Sequence, residues 1–477
     1  MKTIALFACV LTTVMWSEVL ADSVTRPNIV IIIADDLGYG ETAMQGNPQI
    51  PTPGIDALSE SGVRCTSGYV TSSLCSPSRA GLLTGKYQAR FGYDMNPIGA
   101  QNLSDTAGLP QTETTFISKL KESGYRTGLV GKWHLGASKA KHPMMGGFDY
   151  FTGFLQEGHY FVPGPPYDDV QTMVRTRQLP EGEFEREGNI FRGNYTGNNE
   201  PNYDKDNPWM VGEKTAVEKE YLTDAITRNA VAFIESDNDT DKPFAIVVAY
   251  NAVHSPMQGM NADLERIYGI DDPQRKIFAA MLVALDRGVA KIREAIEKRD
   301  AVEETLVVFF SDNGGPTLEL TSSNSPLRGG KGDLYEGGIR VPMVWSMPGT
   351  IPQGTVEKRA IVTVDIASTC LAISGVADAE SLDGVNVVPY FTGEKRSDLH
   401  ERIYWRMGGG RTALRVGDWK IIRTATREPF ELYHLAADAS EKENLAGEHP
   451  ARLSEMVHAW LAMDSEMQAP IVLITPK

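Results

Sequence analysis

The stretch Asn28-Ile29-Val30-Ile31-Ile32-Ile33-Ala34 is a near-continuous apolar, β-branched run that breaks off at Asp35-Asp36-Leu37-Gly38-Tyr39-Gly40. A run without polar alternation marks a strand buried on both faces of a parallel sheet. Three more runs share the design. Thr127-Gly128-Leu129-Val130 leads into Gly131-Lys132-Trp133-His134, Phe244 to Ala249 leads into Tyr250-Asn251-Ala252-Val253-His254, and Leu306 to Phe310 leads into Ser311-Asp312-Asn313-Gly314-Gly315. Helical spacing runs between them over Glu113 to Ser123, Val217 to Glu235 and Gln274 to Arg299. Strand alternating with helix predicts a doubly wound α/β sheet. Ligands bind such sheets beyond the carboxyl ends of the strands. Here four strands release Asp, Lys, His or Asn at that edge, which predicts the active site.

Two regions have another texture. From about residue 155 to 212 the chain is rich in Gly, Asn and Pro and carries Tyr167, Arg175, Arg177, Arg192, Tyr195, Tyr203 and Trp209. A stretch of this length without elements of its own is usually functional or disordered. Aromatics interleaved with arginines can stack on sugar rings and hold anionic groups. A surface excursion with short strands accounts for them equally well. After about residue 400, Ile403-Tyr404-Trp405, Ala413 to Val416, Trp419 to Ile422 and Phe430 to Tyr433 are short and separated by turn signals, which predicts a small antiparallel sheet. Helical spacing follows over Ala451 to Met467. The expected division is 1–21 as a signal peptide, 26–398 as the main domain and 399–477 as a C-terminal subdomain.

Charge narrows the partners. With 62 acidic against 46 basic residues and a net charge of −16, nucleic acid is not the expected partner, and a polyanion would be repelled at long range. Any anion site must be locally basic. Lys2, the apolar stretch Ile4 to Met15 and Val19-Leu20-Ala21 read as an export signal, too short to span a bilayer, so a secreted or periplasmic location is expected. Cys9 leaves with that signal, and Cys65, Cys75 and Cys370 remain. An odd number in an exported chain flags one thiol with a separate role. Cys65 and Cys370 can pair or remain buried thiols.

Leu74-Cys75-Ser76-Pro77-Ser78-Arg79-Ala80-Gly81-Leu82-Leu83-Thr84-Gly85 supplies that role. Pro77 suits the first turn of a helix. Cys75 then lies at the helix mouth, where unpaired N–H groups favour an anion, with Arg79 one turn beyond. The segment Cys-Ser-Pro-Ser-Arg-Ala-Gly-Leu-Leu-Thr-Gly resembles the active-site segment of the type I sulfatases, in which that cysteine is oxidised to formylglycine. Gly131-Lys132-Trp133-His134-Leu135-Gly136, Leu327-Arg328-Gly329-Gly330-Lys331-Gly332 and the C-terminal Glu-Leu-Tyr-His-Leu resemble the same family. The resemblance runs from Asn28 to about Leu445.

It implies an alkaline-phosphatase-like α/β domain that hydrolyses sulfate esters, matured by a formylglycine-generating enzyme. The hydrated aldehyde has two hydroxyls; one attacks sulfur and the other helps expel sulfate. The resemblance further implies one Ca²⁺ at Asp35, Asp36, Asp312 and Asn313, with residue 75 beside it; an all-oxygen set suits that hard cation better than zinc. It implies that Arg79, Lys132 and Lys331 hold sulfate, that His134 helps deprotonate the hydroxyl that ejects it, and that His254 serves the leaving oxygen. His159 is carried over as a substrate contact. The Lys132–His134 pair is expected to share one side of an extended segment, and the glycines around Lys331 to admit a ligand close to the backbone. A sulfated carbohydrate is the expected substrate, because the aromatic and arginine-bearing loops suggest a wide groove. Rival readings are a phosphate mono- or diester hydrolase on the same fold and a non-catalytic sulfated-glycan binding protein.

Overall fold

Strand β1 (Asn28–Ala34) feeds two cores at once. Ile29, Ile31 and Ile33 enter one, and Val30, Ile32 and Ala34 enter the other. This is why its apolar run is unbroken: both faces are covered. The computed structural model describes residues 26–163, 169–173, 183–186, 189–192, 203–236, 242–377 and 382–472. The expected signal at 1–21 with Cys9, together with Tyr167, Arg175, Arg177, Tyr195 and the side chain of Arg192, lies outside the described residues.

The sheet around β1 also contains β2 (Val63–Cys65), β3 (Arg126–Lys132), β4 (Tyr150–Phe154), β5 (Met210–Val211), β6 (Lys214–Thr215), β7 (Phe244–Ala249), β8 (Thr305–Ser311), β9 (Met343–Ser346) and β10 (Thr355–Glu357). Their spatial order is β6-β5-β4-β3-β7-β1-β8-β9-β2-β10. The central neighbours β4, β3, β7, β1 and β8 are all parallel, and β9 turns antiparallel. The four strands singled out from the sequence therefore stand side by side, and their carboxyl ends open on one crevice.

Helices α1 (Pro53–Glu60), α4 (Leu222–Glu235) and α5 (Pro273–Lys298) cover one face of the sheet through Ile55, Leu58, Ile226, Phe233, Leu282 and Leu285. Helices α2 (Cys75–Thr84), α3 (Phe116–Glu122) and α6 (Val364–Ile373) cover the other through Ala80, Leu83, Ile117, Leu120, Ile366 and Leu371. Helix α3 starts later than its spacing suggests because Thr115 caps it, its Oγ1 accepting from the Ser118 N–H at 3.1 Å.

The chain end forms the expected second sheet, β11 (Ile403–Met407), β12 (Arg411–Val416), β13 (Trp419–Arg423) and β14 (Glu431–His434), antiparallel in that order and backed by α7 (Pro450–Asp464). Its Trp405, Leu414, Ile421, Leu432 and Trp460 join the same core as Ile29 and Leu83. The Trp405 indole N–H donates to the Val70 carbonyl at 2.7 Å. Cys65 and Cys370 are both free, buried thiols. No helix among the described residues is long and apolar enough to cross a membrane.

Candidate active site

Cys75 is the first residue of α2, and the preceding Leu74 is extended (φ −132°, ψ 145°) and offers no side-chain cap. The mouth is capped from elsewhere: the Ser76 N–H donates to Asn96 Oδ1 at 3.0 Å. Pro77 falls in the first turn as expected, and every residue of the helix is buried. The Cys75 thiol meets Asp35 Oδ1 at 3.5 Å and Asp36 Oδ1 at 3.8 Å.

One turn on, Arg79 donates from Nε and Nη2 to Asp312 Oδ2 at 2.9 and 2.7 Å, and from Nη1 to the Lys132 carbonyl at 3.1 Å. Lys132, the last residue of β3, donates to Asp35 Oδ2 at 2.6 Å with both side chains fully buried. Lys331 donates to Asp36 Oδ2 at 2.8 Å and is 15% exposed. Across from it, His254 Nε2 lies 3.7 Å from the same oxygen. The net charge of −16 is thus balanced locally, because three cations, Arg79 and Lys132 buried and Lys331 partly so, face three buried carboxylates.

Asp36 and His134 have left-handed backbones (φ 64° and 57°), uncommon for residues with a Cβ and concentrated at functional sites. The kink at His134 overturns one expectation. Strand alternation ends at Lys132, so Lys132 and His134 do not share a side by pleating. Lys132 turns to Asp35, while His134 Nε2 meets the Pro97 carbonyl at 2.9 Å. His134 Nδ1 is buried with no hydrogen-bond partner among the described residues.

The glycines on either side of Lys331 have different surroundings. A Cβ on Gly330 would lie 2.4 Å from the Gly315 carbonyl oxygen. Gly330 lets the loop carrying Lys331 pack on the loop after Asp312 and Asn313, whereas a Cβ on Gly332 would meet nothing within 4 Å. His159 Nδ1 meets the Tyr160 carbonyl at 2.8 Å and Asp204 at 3.2 Å, and its ring lies 5.3 Å from that of Phe154. Its carbonyl accepts from Asn251 Nδ2 at 2.8 Å, which brings its backbone, rather than its ring, toward the loop of His254.

Burial dominates the electrostatics. It pushes the Asp35 carboxyl up to about 7 against the pull of Lys132. For Asp36 burial is outweighed by Lys331 and then His254, which hold it below the usual carboxylate range. Burial, helped by Lys132 for His134 and by Lys331 for His254, holds both imidazoles below the ordinary histidine range, with Asp36 pulling His254 the other way. It also lifts the Cys75 thiol well above its ordinary value in spite of Lys132 and Lys331. An unmodified thiol here is a poor nucleophile.

The donor set fits a hard cation. Ligand atoms of Asp35, Asp36, Cys75 and His254 lie within 4.8 Å of one another. Asp312 lies beside this group, its Oδ1 accepting from the Asp36 N–H at 3.3 Å and its Oδ2 from Arg79. Asn313 gives its amide protons to Asp36 Oδ1 (2.7 Å) and the Gly314 carbonyl (2.9 Å), while its Oδ1 is buried with no hydrogen-bond partner among the described residues. An orphaned buried carbonyl oxygen among carboxylates is a ligand atom for such an ion. Asn96 and Asn207, which brace the site, carry no sequence signature and act through partners 20 and 49 residues away, Ser76 and Gly158, while Ser255 gives its carbonyl to the adjacent His254.

A parallel sheet that delivers carboxylates, cations, imidazoles and a helix-mouth cysteine to one buried edge defines a hydrolase for anionic esters. Residues 27–376 match the Sulfatase family, and residues 330–465 match the family described as N-sulphoglucosamine sulphohydrolase, C-terminal. Arylsulfatase A of Homo sapiens is 31% identical over 473 residues, covering 91% of this chain and 86% of its own. N-acetylgalactosamine-6-sulfatase of Canis lupus familiaris is 29% identical over 430 residues, covering 88% and 76%. Among solved structures, Ps i-CgsB in complex with k-i-k-neocarrahexaose superposes with a TM-score of 0.81 at 32% identity, over 93% of this chain and 94% of that one. The chain belongs to the sulfatase family and is a sulfuric ester hydrolase.

Proposed function

We propose that this sulfatase removes sulfate from a sulfated oligosaccharide, with Cys75 converted to formylglycine by a maturation enzyme and one Ca²⁺ held by Asp35, Asp36, Asp312 and Asn313 beside residue 75. The observation that carries the reading is the convergence of Cys75, three carboxylates and three cations in one buried crevice. Bound calcium would supply positive charge to a sulfate oxygen, and the modified residue 75 would supply the attacking hydroxyl.

The chain's own residues do the rest. Arg79, Lys132 and Lys331 hold the sulfate oxygens by charge-assisted hydrogen bonds. His134, with Nε2–H donated to the Pro97 carbonyl, keeps its Nδ1 lone pair to take a proton from residue 75. His254 donates Nδ1–H to the Ser255 carbonyl at 2.7 Å, so Nε2 is the atom that faces the leaving oxygen; it donates there in the doubly protonated form, which Asp36 Oδ2, 3.7 Å from Nε2, favours. Because Nδ1 of His159 is engaged, a sugar contact there is made by Nε2. The carbohydrate assignment is supported by the oligosaccharide in the Ps i-CgsB complex and by the sugar named in N-acetylgalactosamine-6-sulfatase.

The test is sulfate release by enzyme co-expressed with a formylglycine-generating enzyme, using k-i-k-neocarrahexaose, N-acetylgalactosamine 6-sulfate, 4-nitrophenyl sulfate and 4-nitrophenyl phosphate. The reading expects a sugar sulfate to be hydrolysed and the Cys75 peptide to carry the aldehyde mass. Faster turnover of the phosphate ester, or full activity with an intact thiol, overturns it.

A further inference from the structure

Residues 203–207, near the end of the irregular stretch 155–212, form a turn against the loop that carries His254. Tyr203 is 4% exposed, and its hydroxyl hydrogen-bonds Ser255 Oγ at 2.9 Å. Its ring stands edge-on to the His254 imidazole, with centroids 6.0 Å apart and planes at 82°. On the other side Gly158 closes the space. A Cβ there would lie 2.9 Å from the Tyr203 ring and 3.4 Å from His254 Nδ1.

Asn207 ties the arrangement together. Its Nδ2 donates to the carbonyls of Gly158 (2.8 Å) and Tyr203 (3.1 Å), and its Oδ1 accepts from the Leu155 and Gln156 N–H groups, both at 3.1 Å. The His254 ring is therefore held at one edge by the Ser255 carbonyl and flanked by Tyr203. Both restraints pass through Ser255, whose side chain Tyr203 fixes and whose carbonyl fixes the imidazole tautomer.

We infer that Tyr203 is a positioning residue for His254, aiming Nε2 at the leaving oxygen. The inference rests on the proton-donor role proposed for His254. It gives the irregular stretch a duty in the reaction as well as any contact with sugar. An acid displaced by about 1 Å can lose most of its effect, so the cost belongs to kcat.

The experiment is a double-mutant cycle of Tyr203→Leu and His254→Ala, measured on the best sugar sulfate and on 4-nitrophenyl sulfate, with Tyr203→Phe alongside. Tyr203→Leu should lower kcat on the sugar sulfate on the order of tenfold to a hundredfold, with KM little changed. It should affect 4-nitrophenyl sulfate far less, because nitrophenolate leaves without an acid. Tyr203→Phe, which keeps the ring edge and loses the hydroxyl, should fall between parent and Tyr203→Leu. In the His254→Ala background Tyr203→Leu should cost nothing further. Additive losses, or equal losses of Tyr203→Leu on both substrates while His254→Ala discriminates between them, overturn the inference. If His254→Ala itself fails to discriminate but the two substitutions remain non-additive, the donor role falls and the positioning of His254 by Tyr203 stands.

Discussion

Lys420→Met tests how firmly the small sheet is joined to the large one. Lys420, on β13, is fully buried between two fully buried glutamates, with Nζ 3.0 Å from Glu336 Oε1 and 2.8 Å from Glu441 Oε1. Methionine matches its length and removes the charge, leaving two carboxylates facing one another. Breaking a buried ion cluster by deleting one partner costs about 3–5 kcal/mol. The two acids do not share the loss equally. Glu336 keeps the Tyr69 hydroxyl at 2.6 Å and Arg340 at 3.4 Å. Among the described residues, the Glu441 carboxylate keeps the hydrogen bond from the Glu336 N–H, at 2.6 Å, and no other.

A pH signature follows. In the parent, burial opposed by Lys420 already places the Glu441 carboxyl at about 7, whereas burial at Glu336 is outweighed by Lys420, Arg340 and Arg415, which bring it to about 2. A carboxyl raised on folding binds its proton more tightly in the native state. Its stability term is therefore lost as pH rises from the ordinary glutamate range through about 7. Removing Lys420 raises Glu441 further and extends that window upward. Urea unfolding followed by tryptophan fluorescence should show the full deficit near pH 8 and a smaller one near pH 5.5. A variant as stable as the parent at pH 8, or a deficit that does not shrink on acidification, refutes the reasoning.

Three further outcomes are expected. Cys75→Ala should abolish sulfate release while circular dichroism and the melting temperature stay near the parent's, since only a small polar group leaves a buried site; a tenth of parental activity would remove Cys75 from the chemistry. Calcium added after chelation should raise the melting temperature of the parent, by up to about 2.7 kcal/mol of stability at a hundredfold excess over Kd, and Asp36→Asn should abolish that shift; an equal shift in the variant would place the ion elsewhere. Lys331→Ala should lower kcat/KM on sulfate esters tenfold or somewhat more, for a charge-assisted contact worth roughly 1.5–3 kcal/mol; an unchanged kcat/KM would put Lys331 outside the pocket.

Burial on both faces is what made the core legible in the sequence. The runs at 28–34 and 244–249 coincide with their strands, because nothing polar interrupts them. Met343–Ser346 and Tyr150–Phe154 escaped notice: they are short, and pairing with longer neighbours defines them as strands. At the site, residues on strand ends and in glycine-rich motifs were readable because their chemistry is local in sequence. The failed alternation of Lys132 and His134 marks the limit of that reading, since period-two logic stops where φ turns positive. Tyr203 stood out only as one aromatic in an irregular stretch. Its role depends on Ser255, 52 residues further on, a distance at which no local pattern survives.

The small C-terminal sheet bears on the proposed sulfate site through the loop that carries Lys331. That loop has few apolar anchors of its own, so polar contacts must hold it. Arg411 on β12 donates to the Gly332 carbonyl at 2.7 Å, directly beside Lys331. The Gly332 N–H donates back to Ser73, two residues before Cys75, at 2.9 Å. Arg328 reaches the Tyr433 hydroxyl at 3.2 Å and the Glu441 carbonyl at 2.9 Å, and Glu336 locks onto Lys420. Lys331 is the most exposed of the three cations around the carboxylates, and it is the one delivered by a loop instead of a strand or helix. Arg79 and Lys132 are placed by α2 and β3, whose geometry the main sheet sets. The third charge is placed by a loop clamped between two sheets, so its position depends on both being folded and docked.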